Sequence, residues 1–346
     1  MSEIELNDAI LRNSLQLLRL SAGEQAADDE ILRELERDLK ALLQSRSLSD
    51  ASKREVEALI ADAGKAIDGG YTKAGEQLDT HALALIVAEK TADLIGDTIP
   101  AQIEQPTPAT LASLTRDVLI EGSPASAWWA RQAEDTAFRF AGQVRQGIVN
   151  GETNERIVQR IVGKRGEPGI MDMARRNARA LVHSSVMSAA NAARLASFRK
   201  NPDMFSGVRW LATLDHHSCV QCAALDGQKW DLDGDKLPGT KVSFRAPPAH
   251  WNCRCVLTGI PKRSALEEAF PGISKELDAA GERASSLGPL PGKTTFQDFL
   301  KRQTPDFVEA TLGKRRAELF AAGKITILDL ISGTGREITL DELRTA

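Results

Sequence analysis

Apolar residues recur at helical spacing over most of the chain and alternate only in short stretches. From Glu5 to Lys90 the pattern is helical. Ile10, Leu11, Leu15, Leu18 and Leu20 mark an apolar face, and Ser21-Ala22-Gly23 then breaks the helix. Asp28-Asp29-Glu30 starts the next helix, where the N-terminal dipole favours negative charge. Ile31, Leu32, Leu35, Leu39, Leu42 and Leu43 continue at its period. Ser47-Leu48-Ser49-Asp50 reads as a break and cap before a helix from about Ala51 to Ile67. Gly69-Gly70 ends that helix, and another covers Leu83 to Ile95. Long amphipathic hairpins of this kind form bundles.

Ile99 to Pro108 carries three prolines and little periodicity, which marks a boundary. Helices are expected over Ala109 to Leu119 and, after Pro124, over Ser126 to Asn150 with its Trp128-Trp129 pair. Thr153 caps the next helix, whose Ile157, Ile161 and Val162 face inward. Past Gly166–Gly169, an alanine-rich helix runs from about Ile170 to Arg199. It packs through Leu181, Val182, Val186, Met187, Leu195 and Phe198. Alternation then takes over. Val208, Trp210 and Ala212 read as a strand, Val242 and Phe244 alternate again, and Val256 and Leu257 resume an apolar run. Asp226-Gly227 and Asp233-Gly234 supply turns. The tail returns to helix at Ser264 to Phe270, Lys275 to Ala284 and from Thr295-Phe296 onward. Gly288–Gly292 is a linker or rigid turn there, and Ile325 to Ile331 a short strand or helix.

The fold class is therefore mainly α with a small β element. At 346 residues the chain divides into a helical N-terminal region 1–108, a core 109–261 and a helical C-terminal subdomain 262–346. No run of eighteen apolar residues suggests a membrane span. MSEIELNDAI is acidic and lacks the apolar core of a signal peptide, so a reducing compartment is expected. The net charge of −4 hides an uneven distribution. Residues 1–110 hold 11 Lys/Arg against 21 Asp/Glu, 111–210 carry an excess of six positive charges, and the rest balances. The acidic front argues against nonspecific DNA binding by that part. The long helix carries Arg175, Arg176, Arg179, Arg194, Arg199 and Lys200. They form either a solvated face or a basic surface for packaged DNA or an acidic subunit, and no interleaved aromatics make a stacking platform.

Composition turns specific at one place. All four cysteines, Cys219, Cys222, Cys253 and Cys255, fall within 37 positions, together with His216, His217 and His250. The pattern is C-x2-C, 27 residues, then H-x2-C-x-C. Two thiolates three apart grip one ion from a tight turn, and a second His/Cys pair completes a tetrahedron. Five residues compete for four positions: Cys219, Cys222, His250, Cys253 and Cys255. The expected cofactor is a structural zinc that staples a β-hairpin knuckle over 210–261, with Pro247-Pro248 stiffening the approach to His250. Buried thiols and two disulfides are the competing readings, and clustering and compartment disfavour them.

The order W-x-A-T-x-D-x-x-x-C-x-x-C, then L-D-G, then P-P-x-H-x-N-C-R-C resembles the signature of the phage Mu F-like head morphogenesis proteins, minor head proteins of tailed bacteriophages. It is carried by Trp210, Asp215, Cys219, Cys222, Leu225, Asp226, Gly227, Pro247, Pro248, His250, Asn252, Cys253, Arg254 and Cys255. The tail string F-x-x-F-L-K-R-Q, followed by L-G and L-F-x-x-G-K, resembles what trails this module in the family. The resemblance implies a capsid component of the virion near the portal vertex, assembled in the host cytoplasm and present in multiple copies. It implies portal and major capsid proteins as partners, no membrane, and a role in head morphogenesis, DNA packaging or ejection.

The rival is a metal-dependent nuclease or hydrolase built on the Cys/His cluster. A zinc deaminase needs a glutamate beside its first ligand, and none occurs from Pro168 to Leu266. Asp215 reads as a turn residue, and His216-His217 alone keep the nuclease option open. A DNA-reading C2H2 finger would need a gap less than half as long, filled by a basic helix. The expectation is a protein that is not an enzyme.

Overall fold

The computed structural model describes residues 2–45, 48 and 51–345. Seven helices come first: α1 (Glu3–Gln44), α2 (Lys53–Gln77), α3 (Thr80–Gly96), α4 (Pro108–Asp117), α5 (Ala125–Val149), α6 (Asn154–Val162) and α7 (Ile170–Lys200). Then come β1 (Phe205–Leu211), α8 (Val220–Leu225), β2 (Lys229–Trp230) and β3 (Val256–Pro261). The tail contains α9 (Arg263–Ala269), α10 (Ile273–Leu277), β4 (Glu282–Arg283), β5 (Leu290–Pro291), α11 (Phe296–Leu300), α12 (Pro305–Leu312), α13 (Lys314–Ala321), a 3-10 turn Ile327–Leu330 and α14 (Leu340–Thr345). The molecule is mainly helical with small antiparallel sheets, and no described helix is long and apolar enough to cross a membrane.

Two compact units share this chain. The first holds 1–17, 80–118 and 187–346, and the second 18–79 and 119–186. In the second, α2 packs along α5: Tyr71 donates or accepts at Thr136 Oγ1 over 2.8 Å inside the core. Two expected breaks do not occur. α1 runs unbroken through Ser21-Ala22-Gly23, with Leu6, Ile10, Leu11, Ser14, Leu17 and Ser21 buried instead of Leu15 and Leu20. Asp28-Asp29-Glu30 is therefore mid-helix. Asp29 is held there by Arg33 at 3.0 Å and Arg179 at 2.8 Å, so a cross-helix partner replaces the dipole in placing it. Gly69-Gly70 likewise sits inside α2, because a Cβ at Gly70 would come within 3.1 Å of Leu35 and one at Gly75 within 3.1 Å of Trp129. Gly70 and Gly75 serve close packing, whereas the space beside Gly69 is open. Of the expected break before α2, Ser47, Ser49 and Asp50 lie outside the described residues. The helix start is a capping box at Ser52, whose N–H donates to Glu55 Oε2 at 2.8 Å.

The predicted α4, α5 and α7 appear close to their expected bounds, and Thr153 caps α6 through Arg156 N–H at 3.3 Å. The basic face of α7 is not free. In the second unit Arg175 pairs with Glu36 and Asp172, and Arg179 with Asp29. In the first unit Arg194 is fully buried against Asn13 Oδ1 at 3.0 Å, Arg199 donates to Leu232 O at 2.8 Å, and Lys200 pairs with Glu104 at 3.2 Å. Only Arg176 of the six is exposed without a partner among the described residues. Against the two readings of this helix, a solvated face or a basic surface, most of these cations are paired within the chain, and Arg176, Arg179, Arg199 and Lys200 stay exposed.

The β element also differs from the expected hairpin. β1 is the centre of a sheet ordered β2-β1-β3, antiparallel on both sides, with Trp210 opposite Leu257 and Val208 opposite both Trp230 and Gly259. Val242 and Phe244 form no strand. Val242 O accepts Trp230 Nε1 at 2.8 Å and Phe244 packs edge-on against that indole, so their alternation reflects packing onto one tryptophan. Helix α10 stops at Leu277 rather than Ala284, since Glu282–Arg283 pairs with Leu290–Pro291. The linker around Gly288 thus becomes the loop of a small hairpin.

Candidate metal centre

β1 delivers the chain to α8, and Cys219 is the cap of that helix, its Sγ accepting Cys222 N–H at 3.4 Å. The first two thiols therefore lie one turn apart on the same side. His250 arrives from the loop after the cis Pro247-Pro248 bond. Its Nδ1 lies 2.8 Å from Trp251 O, so Nδ1–H donates to that carbonyl and Nε2 is the ring nitrogen that faces the sulfurs. That Nε2 lies 3.2 Å from Cys219 Sγ and 3.0 Å from Cys222 Sγ. Cys253 N–H donates to His250 O at 3.2 Å across a turn in which Asn252 takes φ 61. Its sulfur comes to 3.6 Å from that of Cys222.

Among the described residues, two groups of donors converge, Cys219–Cys222–His250 and Cys222–Cys253–Cys255, with Cys222 common to both. All five expected residues are brought together, and all four cysteines are free thiols. His216 and His217 are exposed and stack on each other at 3.7 Å, outside both groups. No carboxylate joins the sulfurs. A sulfur-rich set with one imidazole, three of its four thiols buried, fits a tetrahedral zinc site better than an oxygen-preferring cation.

The charges inside the cluster are strongly coupled. Contact with Cys222 and then with His250 pulls the Cys219 thiol down to about 4. Cys219 and Cys253 push the His250 imidazole up to about 11. Cys222, pressed between Cys219, Cys253 and Cys255, is shifted the other way and holds its proton. Such a set binds a dication by releasing protons.

The flanking clamps were legible only in part. Arg254, between the last two cysteines, donates from Nη1 and Nη2 to both oxygens of Asp215, each at 2.6 Å. Burial raises the Asp215 carboxyl, but Arg254 outweighs it and leaves the group below its ordinary value. Asp215 also accepts His217 N–H at 2.9 Å, as expected of a turn residue. Asp226 is more than a turn signal. It closes α8, accepts Ala212 N–H and Phe296 N–H at 2.8 Å each, and pairs with Arg283 at 2.7 and 3.0 Å. Asn191 of α7 donates to Cys255 O at 3.2 Å and accepts Leu257 N–H at 3.1 Å, which fixes where β3 begins. Neither Arg283 nor Asn191 stands in a motif, so only tertiary structure reveals them.

No curated protein and no solved structure matches the chain. A family model does, over 139–258, a stretch that ends within β3 and contains α6, α7, the Asp215–Arg254 pair, Asp226 and every thiol, but not Arg283. Over that stretch the chain is similar to the family described as Phage Mu protein F like protein.

Proposed function

We propose that this protein is a minor head component of a tailed phage, located at the portal vertex and acting in head morphogenesis, DNA packaging or ejection. Its partners are the portal and major capsid proteins, it is present in several copies in each virion, and it assembles in the host cytoplasm. The family match over 139–258 carries this reading. The architecture agrees with it, since the polar clamps around the thiols, Asp215 with Arg254 and Asp226 with Arg283, tie loops and strands together.

Cys219, Cys222, His250 and Cys253 hold one structural zinc in this reading. Their donor atoms are linked pairwise through Cys222 and His250, whereas the Cys255 sulfur neighbours only Cys222, Cys253 and the Trp210 indole. A closed thiolate site supplies folding energy and no activated water. Asp215 is occupied by Arg254 and cannot serve as a base without breaking that pair.

The test is co-purification with assembled heads. Gradient-purified particles should contain the chain, with cross-links to the portal or capsid subunit. Particles that form with normal composition while the chain stays in the soluble fraction would sink the proposal.

A further inference from the structure

A cavity of about 520 Å³ opens within the first unit, a size ordinary for a small-molecule site. It is lined by Arg209 of β1 and Lys229 of β2, by the start of α1 and by the turn before α11. Positive charge there is incompletely matched. Glu3 is shared by two guanidinium groups, accepting from Arg209 Nη2 and Arg263 Nη2 at 2.8 Å each. Asp278 takes the other side of Arg263 at 2.9 Å. The remaining two carboxylates are committed, Asp226 to Arg283 and Asp8 to Arg12 and Ala284 N–H.

Lys229 is left over. It is half-buried and forms no ion pair among the described residues. Burial and the nearby Arg209 both weaken its ammonium, and Glu3 only partly offsets them. Arg209 Nε is buried without an acceptor. An ammonium and a guanidinium N–H held away from water are costly unless an acceptor is supplied. Lys293 stands exposed at the mouth and adds to the excess. Forked guanidinium groups beside a point-charge ammonium are the donor set that receives phosphate oxygens.

We infer that this cavity binds a phosphate group, as the free ion or as the monoester end of a nucleotide-sized ligand, with Lys229 as its main cation and Arg209 and Arg263 flanking it. Glu3 is then a competing carboxylate supplied by the chain itself. The site depends neither on the metal nor on a place in a phage head.

Calorimetric titration of the full-length, metal-loaded protein at low salt tests this with inorganic phosphate and thymidine monophosphate. Saturable binding of both supports an ester ligand, and saturable binding of inorganic phosphate alone supports the free ion. Lys229→Met should weaken binding about tenfold, Lys229→Arg should retain it, and Lys314→Met on exposed α13 should change nothing. Glu3→Gln should tighten binding several-fold, which a merely structural Glu3 would not produce. Circular dichroism of each variant verifies that it is folded. No saturable binding of either probe, or equal affinity for the parent protein and Lys229→Met, overturns the inference.

Discussion

Cys222 is the junction of the two donor groups, so its sulfur has contacts that no other cysteine can replace. Cys255 shares a group with Cys222 and Cys253 but stands outside the ligand set proposed above. Cobalt substitution separates the two roles, because thiolate-to-cobalt absorbance counts the sulfurs that bind. Cys253→Ser should lose about a third of that absorbance or lose the metal outright, and Cys255→Ser should keep it, given three thiolate ligands. Equal losses from the two variants would redistribute the ligand set. Asp28 shows a different residue-scale effect. Both of its oxygens are buried without a partner, and burial, with a smaller push from Glu24, raises its carboxyl from 3.8 to about 7. The folded chain therefore holds this proton where the unfolded chain has released it. Stability is highest below about pH 4 on this account and falls as pH rises toward 7, by about 1.4 kcal/mol per unit at most. Asp28→Asn should flatten that dependence in urea titrations between pH 5 and pH 8. An unchanged slope would mean that the carboxyl is solvated. That the five Cys/His residues converge was legible because such residue types at these spacings come together in few ways. Asp28 was misread as a helix start, since sequence alone cannot show which side of a helix another helix covers.

Among the elements, the helices with ordinary caps were read nearly correctly, and those interrupted by small residues were not. Ser21-Ala22-Gly23 and Gly69-Gly70 carry the composition of a break, but a propensity cost of about 1 kcal/mol per glycine is too small to end a long helix whose buried positions continue on both sides. Leu35 fills the space beside Gly70, while the space beside Gly23 and Gly69 is open. The sheet failed for a related reason. β1 was visible through Val208 and Trp210, but its partner β3 is separated from it by the whole thiol loop, and register over such a distance leaves no local sign. Two variants measure what holds these elements together. A Cβ at Gly207 would stand 2.1 Å from Trp230 O, so Gly207→Ala must push β2 away from β1. It should cost about 1–3 kcal/mol, with a blue-shifted or quenched tryptophan signal changing in step. Arg283→Met leaves Asp226, 1 % exposed at its side chain, as a buried charge without its partner. Breaking a pair of this kind costs about 3–5 kcal/mol, and urea midpoints should show it as the larger of the two losses. A loss under about 1 kcal/mol would mean that water replaces the guanidinium.

For the whole molecule, the proposed zinc staple has a bounded reach. β1 and β3 are buried and tied to α7 through Asn191, so they have support that does not depend on thiols. The stretch after α8 as far as Cys255 contains only the two-residue β2 and turns; Trp230 gathers Val242 and Phe244, and the tail holds it through Ser243 N–H to Gly333 O at 2.8 Å. Structural zinc contributes on the order of ten kcal/mol in small modules, comparable to the stability of a whole domain. Cys222→Ser should therefore loosen this loop while the helices and the β1–β3 ladder survive. Far-UV circular dichroism would retain most of its helical signal, and trypsin would cut first at Lys236, Lys241 or Arg245. If the loop is the contact with the rest of the head, the variant should remain soluble yet be missing from purified particles. A Cys222→Ser chain that resists trypsin and enters heads at the normal level would separate the cluster from both fold and assembly. A chain that is cut but still enters would locate the contact elsewhere, with the helical units as the remaining candidates.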